Sequence, residues 1–247
     1  MVFRYGFVAS ILINFFAFGC SDGANSSIEN TTQVVQENNV TQLFIEANAS
    51  QESEVFFEQG NKLLDKQRYK DAIKAYDKAI AMKAEIAEAW INRGIALTSL
   101  QRYKDALVSY DRAIAIKPDK DEAWYNRGIA LTSLQRYKDA LVSYDRAIAI
   151  KPNKYEALTN RGIALTKLQR YQEAIASYNK AIGIKKDLHQ AYYNKACSYA
   201  LQGNVELAIE NLDRAIQLVP GKYKKLAKTD PDFSKVRHQK RFQELLQ

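Results

Sequence analysis

Residues 89–118 read AWINRGIALTSLQRYKDALVSYDRAIAIKP, and residues 123–152 repeat this stretch with a single change, Tyr125 in place of Ile91. Two nearly identical copies 34 residues apart indicate an internal repeat, in which one structural unit stacks on the next and the units share a core. Three diverged copies fit the same frame. The array therefore comprises five repeats, at residues 53–86, 87–120, 121–154, 155–188 and 189–220.

Each repeat places residues of similar size at the same positions. The fourth position is bulky, the eighth is glycine in four repeats, and small and aromatic residues follow at fixed intervals. The bulky residues are Phe56, Trp90, Trp124, Leu158 and Tyr192, and the glycines are Gly60, Gly94, Gly128 and Gly162. Glycine inside a helix costs about 1 kcal/mol relative to alanine, so four at one spacing predict that two helices approach closely there. The fifth repeat differs, with Ala196 for the glycine and Leu212 for the aromatic residue.

This arrangement resembles the tetratricopeptide repeat (TPR), a helix-turn-helix unit. The resemblance implies an all-α fold, a right-handed superhelical solenoid of such repeats. The composition agrees, because the chain has only 10 glycines and 4 prolines. Pro118, Pro152 and Pro220 end three of the repeats, since proline cannot continue a helix. Asp119 with Glu122 has the spacing of a capping box at the start of the next helix.

Residues 221–247 resemble the terminal segment that follows bacterial TPR arrays. The end of a solenoid would otherwise expose apolar side chains, so we expect this segment to cap the fifth repeat. The residues expected to cover it are Phe233, Val236, Phe242, Leu245 and Leu246. The alternative is a basic helix that lies on a membrane surface.

Residues 1–20, MVFRYGFVASILINFFAFGC, have one base followed by an uncharged apolar run, which is typical of an export signal. Gly19 and Cys20 resemble the end of a bacterial lipobox, in which the cysteine receives a lipid, whereas Ala17 and Phe18 depart from that pattern. The sequence therefore predicts a lipoprotein anchored at the cell-envelope membrane through Cys20. A retained membrane anchor and simple cleavage, which would give a secreted or periplasmic protein, remain the alternatives. Residues 21–52 are polar and predict a flexible linker.

In the TPR family the first helix of each repeat lines a concave groove, and its second, fifth and sixth residues face that groove. The sixth position holds Asn92, Asn126, Asn160 and Asn194. An asparagine amide can both donate to and accept from a peptide group, so a row of them predicts a site for an extended peptide. Tyr125 and Tyr193, at the fifth position, are candidate aromatic anchors. The alternatives are that duplication alone repeats the asparagines and that the tyrosines are ordinary packing residues.

The second position of the first helices is acidic or neutral: Glu88, Glu122, Glu156 and Gln190. Family members that hold a C-terminal carboxylate use basic residues in the groove, and none stands at this position. An acidic rim beside polar amides predicts a neutral or basic extended ligand.

The net charge of +8 raises the possibility of a nucleic acid or an anionic membrane surface as partner. Bases and acids alternate along the repeats, however, as they do on a solvated helix face, and this disfavours nucleic acid. Cys197, His189 and His238 are isolated in sequence, so no metal site or cofactor is predicted. We find no nucleophile paired with a base and no phosphate-binding loop. The sequence thus predicts a non-enzymatic scaffold that binds a protein or peptide partner.

Overall fold

The structure is a computed structural model that describes residues 25–247, with side chains from residue 39 onward. It divides into two compact units, Met1–Asn48 and Ala49–Gln247. Within residues 25–247 it contains twelve α-helices and one short 3-10 helix, Pro231–Phe233, and no strand. The α-helices are α1 Asn25–Asp65, α2 Tyr69–Met82, α3 Ala87–Ser99, α4 Tyr103–Ile116, α5 Asp121–Ser133, α6 Tyr137–Ile150, α7 Tyr155–Lys167, α8 Tyr171–Ile184, α9 His189–Gln202, α10 Val205–Leu218, α11 Pro220–Thr229 and α12 Lys240–Leu246.

The second unit is a right-handed superhelical solenoid of helix pairs, as predicted. The pairs α3–α4, α5–α6, α7–α8 and α9–α10 form repeats two to five, and each second helix also packs on the first helix of the next repeat. The first repeat pairs the end of α1 with α2. A continuous apolar core, built largely from buried alanine, leucine and tyrosine, runs through repeats one to four.

The repeated glycines are explained by a tyrosine in the second helix of the same repeat. A Cβ atom on Gly94 would lie 2.4 Å from Cε1 of Tyr110, and one on Gly128 would lie 2.4 Å from Cε1 of Tyr144. These rings are almost completely buried, and the Tyr110 hydroxyl is hydrogen-bonded to Thr98 at 3.0 Å. The predicted close approach is therefore confirmed, and the ring that requires it is identified.

The same contact explains the two departures in the fifth repeat. Leu212 replaces the tyrosine and is fully buried, and Ala196 replaces the glycine and is fully buried as well. Because the leucine side chain is shorter than a tyrosine ring, the methyl group of Ala196 can be accommodated. The two substitutions are therefore coupled.

An arginine at the seventh position of the first helix links neighbouring repeats. Arg127 Nε donates to Asp111 of the preceding repeat at 2.7 Å, and the same guanidinium donates to Ser143 of its own repeat at 2.8 Å. Arg93 and Arg161 make the equivalent contacts one repeat earlier and one repeat later. We call this Arg–Asp–Ser arrangement the inter-repeat clamp. At the junction of repeats four and five, Lys195 of repeat five replaces the arginine and Asn179 of repeat four replaces the aspartate.

The turn between the two helices of a repeat contains a residue in the left-handed conformation. It is glutamine in four repeats, with φ between 56° and 59°, and Gly203 in the fifth, with φ of 79°. The glutamines are Gln67, Gln101, Gln135 and Gln169. A residue with a Cβ atom is strained in this conformation, whereas glycine is not.

The predicted capping box is wrong. The residue that caps α5 is Lys120, which has no side-chain oxygen, and no side-chain hydrogen bond closes the helix start. Asp119 lies one residue too early because the helix begins only at Asp121. In α10, by contrast, Asn204 does cap the helix by accepting from the Leu207 amide at 3.2 Å.

The prediction of a flexible linker at residues 21–52 differs from the structure from Asn25 onward. That residue starts α1, which continues without interruption to Asp65. Once a helix is nucleated, each added residue gains a backbone hydrogen bond, so a polar sequence without proline can extend it. Along residues 39–48 the side chains lie in solvent, and the apolar ones among them are Val40, Leu43, Phe44 and Ile45.

The predicted export signal and Cys20 lie outside the described residues. In the part of the chain that is described, no helix combines the length and the hydrophobicity needed to span a bilayer.

The C-terminal segment packs on the fifth repeat. Phe233, Val236 and Phe242 are fully buried, Leu246 is 6% exposed and Leu245 is partly buried. They share a core with residues of α9 and α10, including Leu212. At the same end, His189 and Tyr223 are hydrogen-bonded through Nδ1 and the hydroxyl, and their rings lie 5.5 Å apart. The segment thus covers the apolar end of the array.

Candidate functional site

A depression of about 280 Å³ lies among the first helices of repeats three, four and five, and we call it the central pocket. Its residues come from α5, α7, α9 and the turn before α9. They are Tyr125, Tyr155, Glu156, Thr159, Asn160, Ile163, Leu188, Gln190 and Asn194. The structure therefore brings together three of the six predicted peptide-binding residues, namely Tyr125, Asn160 and Asn194.

Tyr125 and Asn160 form a polar pair in the pocket. The Asn160 side-chain amide donates to the Tyr125 hydroxyl at 3.1 Å. Burial, followed by the negative charge of Glu156, raises the pKa of Tyr125, so the hydroxyl stays protonated and can donate to a further acceptor. The ring packs 6.3 Å from Tyr144, one of the buried core tyrosines, which fixes its position.

Asn194 lines the pocket without a side-chain hydrogen bond to any residue from 39 to 247. Its amide can therefore donate two hydrogen bonds and accept at the oxygen, as one peptide group requires. Asn160 keeps one N–H and its oxygen for the same purpose, because only one N–H is used by Tyr125.

The other two predicted asparagines lie in earlier repeats and do not line the pocket. Asn92 donates to the Asn61 side chain at 2.9 Å, and the Tyr76 hydroxyl donates to the same oxygen at 2.9 Å. Asn126 is half-buried and makes no side-chain hydrogen bond within the described side chains. Two members of the row of asparagines, Asn92 and Asn160, are thus hydrogen-bonded within the protein.

The prediction that Tyr193 is a peptide anchor is wrong for this structure, because the C-terminal segment covers it. Its ring is 5% exposed and stacks on Tyr223 at 4.8 Å. Its hydroxyl donates to Asp230 at 2.6 Å, and burial together with this carboxylate raises its pKa. Tyr193 therefore holds the C-terminal segment in place, which the repeat frame alone could not indicate.

The predicted acidic rim is not uniformly available to a ligand. Glu88 forms ion pairs with Lys120 at 2.8 Å and Lys117 at 3.1 Å, and these hydrogen bonds lower its pKa to about 2. Glu122 is exposed and lies outside the central pocket, whereas Glu156 lines it. Only Glu156 therefore brings a carboxylate into the pocket.

Tyr155 and Leu188 are pocket residues that the sequence analysis missed. Tyr155 stands at the first position of a first helix, where the earlier repeats have Ala87 and Asp121. Leu188 stands at the last position of repeat four, where repeats two and three have Lys120 and Lys154. The first position differs in all five repeats, and the last position of repeat one is also apolar, Ile86, so the repeat frame alone gave no signal for either residue.

One group in the described part of the chain has the composition of a metal site: Cys197, Asp230 and Asp232, whose candidate ligand atoms lie within 4.8 Å of one another. The Asp230 carboxylate already accepts hydrogen bonds from the Tyr193 hydroxyl and the Asp232 amide. Burial raises the pKa of the Cys197 thiol, which favours the protonated form, and metals bind the thiolate. We assign this group a structural role in attaching the C-terminal segment.

Comparison with known proteins agrees with this architecture. A family profile described as Tetratricopeptide repeat matches residues 57–121, 121–154, 155–188 and 189–222. YrrB, described as a TPR protein with an unusual peptide-binding site, is 26% identical over 68% of this chain and 86% of its own, with a TM-score of 0.60.

MamA has the same fold at lower identity. The MamA protein is 23% identical over 72% of this chain and 95% of its own, with a TM-score of 0.63. MamA residues 41-end from Desulfovibrio magneticus RS-1 are 18% identical over 69% of this chain and 97% of their own, with a TM-score of 0.65. No curated protein sequence matches the chain significantly. Since the family profile extends from residue 57 to residue 222 and helix pairs occupy the same residues, this chain belongs to the tetratricopeptide repeat family.

Proposed function

We propose that this protein is a non-catalytic scaffold that binds an extended segment of a partner protein along the first helices of its repeats. The observation that carries the proposal is the central pocket, where Tyr125, Asn160 and Asn194 present hydrogen-bonding groups that the protein does not use up. The likeness to YrrB, a TPR protein with a peptide-binding site, supports this function.

The chemistry of the pocket suits a peptide backbone. An extended segment presents alternating N–H and C=O groups, and each needs a partner when it leaves water. Asn160 and Asn194 stand 34 residues apart at the same position of successive first helices, so they can contact successive parts of one segment. These backbone contacts do not themselves depend on the side chains of the ligand.

The test is a selection of random peptides displayed on phage against the immobilised full-length chain, followed by affinity measurements. For a selected peptide, we expect Asn160→Ala/Asn194→Ala to weaken binding by about tenfold to a hundredfold, because each lost hydrogen bond contributes about 0.5–1.5 kcal/mol. The matched control is Asn179→Ala, an exposed asparagine on a second helix. Circular dichroism should show unchanged helicity in all variants.

If selected peptides bind the double variant as tightly as the parent chain, the binding surface lies elsewhere. If affinity for DNA or anionic vesicles exceeds that for any peptide and falls steeply with salt, the basic surface is the binding site and the scaffold proposal is wrong.

We also propose that the scaffold is tethered at the cell envelope by a lipid on Cys20. The support is the apolar run that ends in Gly19 and Cys20. Cells that express the parent chain or Cys20→Ala are given a labelled fatty acid, and we expect label in the parent chain alone. Equal label in both proteins, or label in neither, would contradict lipid attachment at this residue.

A further inference from the structure

The second position of the first helix allows one repeat to be compared with another. In repeat two, Glu88 is neutralised by Lys117 and Lys120. The residues that correspond to these lysines in repeat four are Lys185 and Leu188. Leucine cannot form an ion pair, so Glu156, the counterpart of Glu88, has lost one of its two partners.

The remaining lysine does not replace that partner. The Lys185 ammonium lies over the Tyr155 ring, 5.1 Å from its centroid, and forms no ion pair with Glu156. Lys154 does not pair with Glu156 either, because its ammonium forms an ion pair with Asp121 at 2.7 Å and lies 4.9 Å from the centre of the Tyr125 ring. Among residues 39–247, no base is paired with Glu156.

The surroundings of Glu156 suit a cation. The residue is half-buried and lines the central pocket together with Tyr125 and Tyr155. A carboxylate forms strong charge-assisted hydrogen bonds with ammonium and guanidinium groups. Removal of a charge from water is unfavourable unless a partner compensates it, so a ligand that brings a cation is favoured here.

We propose that the central pocket selects a lysine or arginine side chain of the bound segment, with Glu156 as its ion-pair partner. This inference rests on the proposed function, since the asparagines must hold the backbone that carries the basic residue. The net charge of +8 opposes a basic ligand at long range, but salt screens such repulsion beyond about 8–10 Å. The contacts within the pocket therefore decide.

The experiment uses the peptides selected on the full-length chain. We expect lysine or arginine to be enriched at one position of these peptides, and selection on Glu156→Gln to give peptides without that preference. For one selected peptide, exchange of its basic residue for methionine should weaken binding to the parent chain about tenfold, and binding to Glu156→Gln by less than twofold. The control Glu122→Gln, at the same position of the preceding repeat but outside the pocket, should behave like the parent chain.

The outcomes separate this inference from the proposed function. Peptides that depend on Asn160 and Asn194 but show no basic preference, or keep that preference on Glu156→Gln, overturn the inference alone. A selection that yields no binding peptide on the parent chain overturns the proposed function and this inference with it.

Discussion

At the scale of single residues, the tyrosine ring that packs against a glycine determines how closely the two helices of a repeat approach. Tyr76, Tyr110, Tyr144 and Tyr178 each occupy the space that a side chain at the facing glycine would need. The fifth repeat reaches a similar packing with the pair Ala196 and Leu212, which are both fully buried. The glycines are therefore a requirement of tertiary packing, which overrides their poor helix propensity.

Gly128→Ala should destabilise the protein by about 1–2 kcal/mol in urea unfolding. Its methyl group would lie 2.4 Å from the Tyr144 ring, and such overpacking costs about 1–3 kcal/mol, which exceeds the gain of about 1 kcal/mol in helix propensity. The control is Gly183→Ala, because that helical glycine has no atom within 4 Å of the added methyl group and should be neutral or stabilising.

Gly128→Ala should lower the free energy of unfolding less in a Tyr144→Leu background than in the parent chain. The two residues would then resemble Ala196 and Leu212 of the fifth repeat. Equal cost in both backgrounds would show that the ring is not the obstacle.

The left-handed glutamines offer a second test at this scale. Gln135→Gly should stabilise the protein by about 0.5–1 kcal/mol, because relief of about 1–2 kcal/mol of backbone strain exceeds the added entropy of a glycine in the unfolded chain. Gln135→Ala keeps a Cβ atom and should give no such gain. A glycine variant that melts at or below the temperature of the alanine variant would mean that the turn is not strained.

At the scale of helices, the inter-repeat clamp is present at three junctions and absent at the fourth. Lys195 stands where repeats two to four have arginine, and burial lowers its pKa, which Glu210 only partly offsets. An ammonium group cannot form the two directed hydrogen bonds that the planar guanidinium makes to aspartate and serine. The junction between repeats four and five therefore depends on other contacts, such as the bond between Thr166 and Ser198 at 2.8 Å.

Lys195→Arg together with Asn179→Asp should introduce the missing ion pair. We expect a coupling free energy of about 0.5–1 kcal/mol between the two substitutions. Solvent-exposed ion pairs contribute less than about 1 kcal/mol, and this ion pair would be partly shielded from solvent. Each single variant serves as the control in a double-mutant cycle of urea unfolding. Strictly additive effects would contradict the formation of this ion pair.

The positions of the helix pairs could be predicted from the sequence because the 34-residue period repeats local signals five times. The capping box failed because Asp119 and Glu122 fit its spacing by composition alone, and one residue of difference in the helix start removes the geometry. The helical character of residues 25–52 was also missed, because composition does not show that a polar segment continues a neighbouring helix.

The candidate site was only partly predictable. Asn160, Asn194 and Tyr125 followed from their repeat positions, which a solenoid places along one surface. The burial of Tyr193 depends on Tyr223 and Asp230, which reach it from another segment through tertiary packing. Contacts of that kind have no local signal in the sequence.

At the scale of the whole molecule, the array ends in a segment attached through both polar and aromatic contacts. His189 lies at this attachment, hydrogen-bonded to Tyr223. Burial, with added repulsion from Lys222 and Lys185, lowers its pKa from the ordinary value of 6.5. The folded protein thus favours the neutral imidazole.

Acidification should therefore loosen the C-terminal segment. Because the folded-state pKa lies below the unfolded value of 6.5, the contribution of His189 is fully present above that pH and is lost as the pH falls through the folded-state pKa. We expect the melting temperature to fall between pH 7.5 and pH 5.5, and His189→Gln to reduce this dependence. The control is His238→Gln, at the exposed second histidine, which should leave the pH dependence of the melting temperature unchanged. If the melting temperature depends equally on pH in the parent chain and both variants, other groups cause the effect.

The helices α4 and α6 consist of the same 14 residues, so the face that α6 presents to the fourth repeat already exists on α4. Excision of residues 121–154 would therefore join repeat two directly to repeat four through an interface that the molecule already makes. The array can thus gain or lose a whole unit without any new surface having to arise. The same event would exchange Tyr125 for Ile91, the only difference between residues 89–118 and 123–152, so a change in copy number would also change the lining of the pocket.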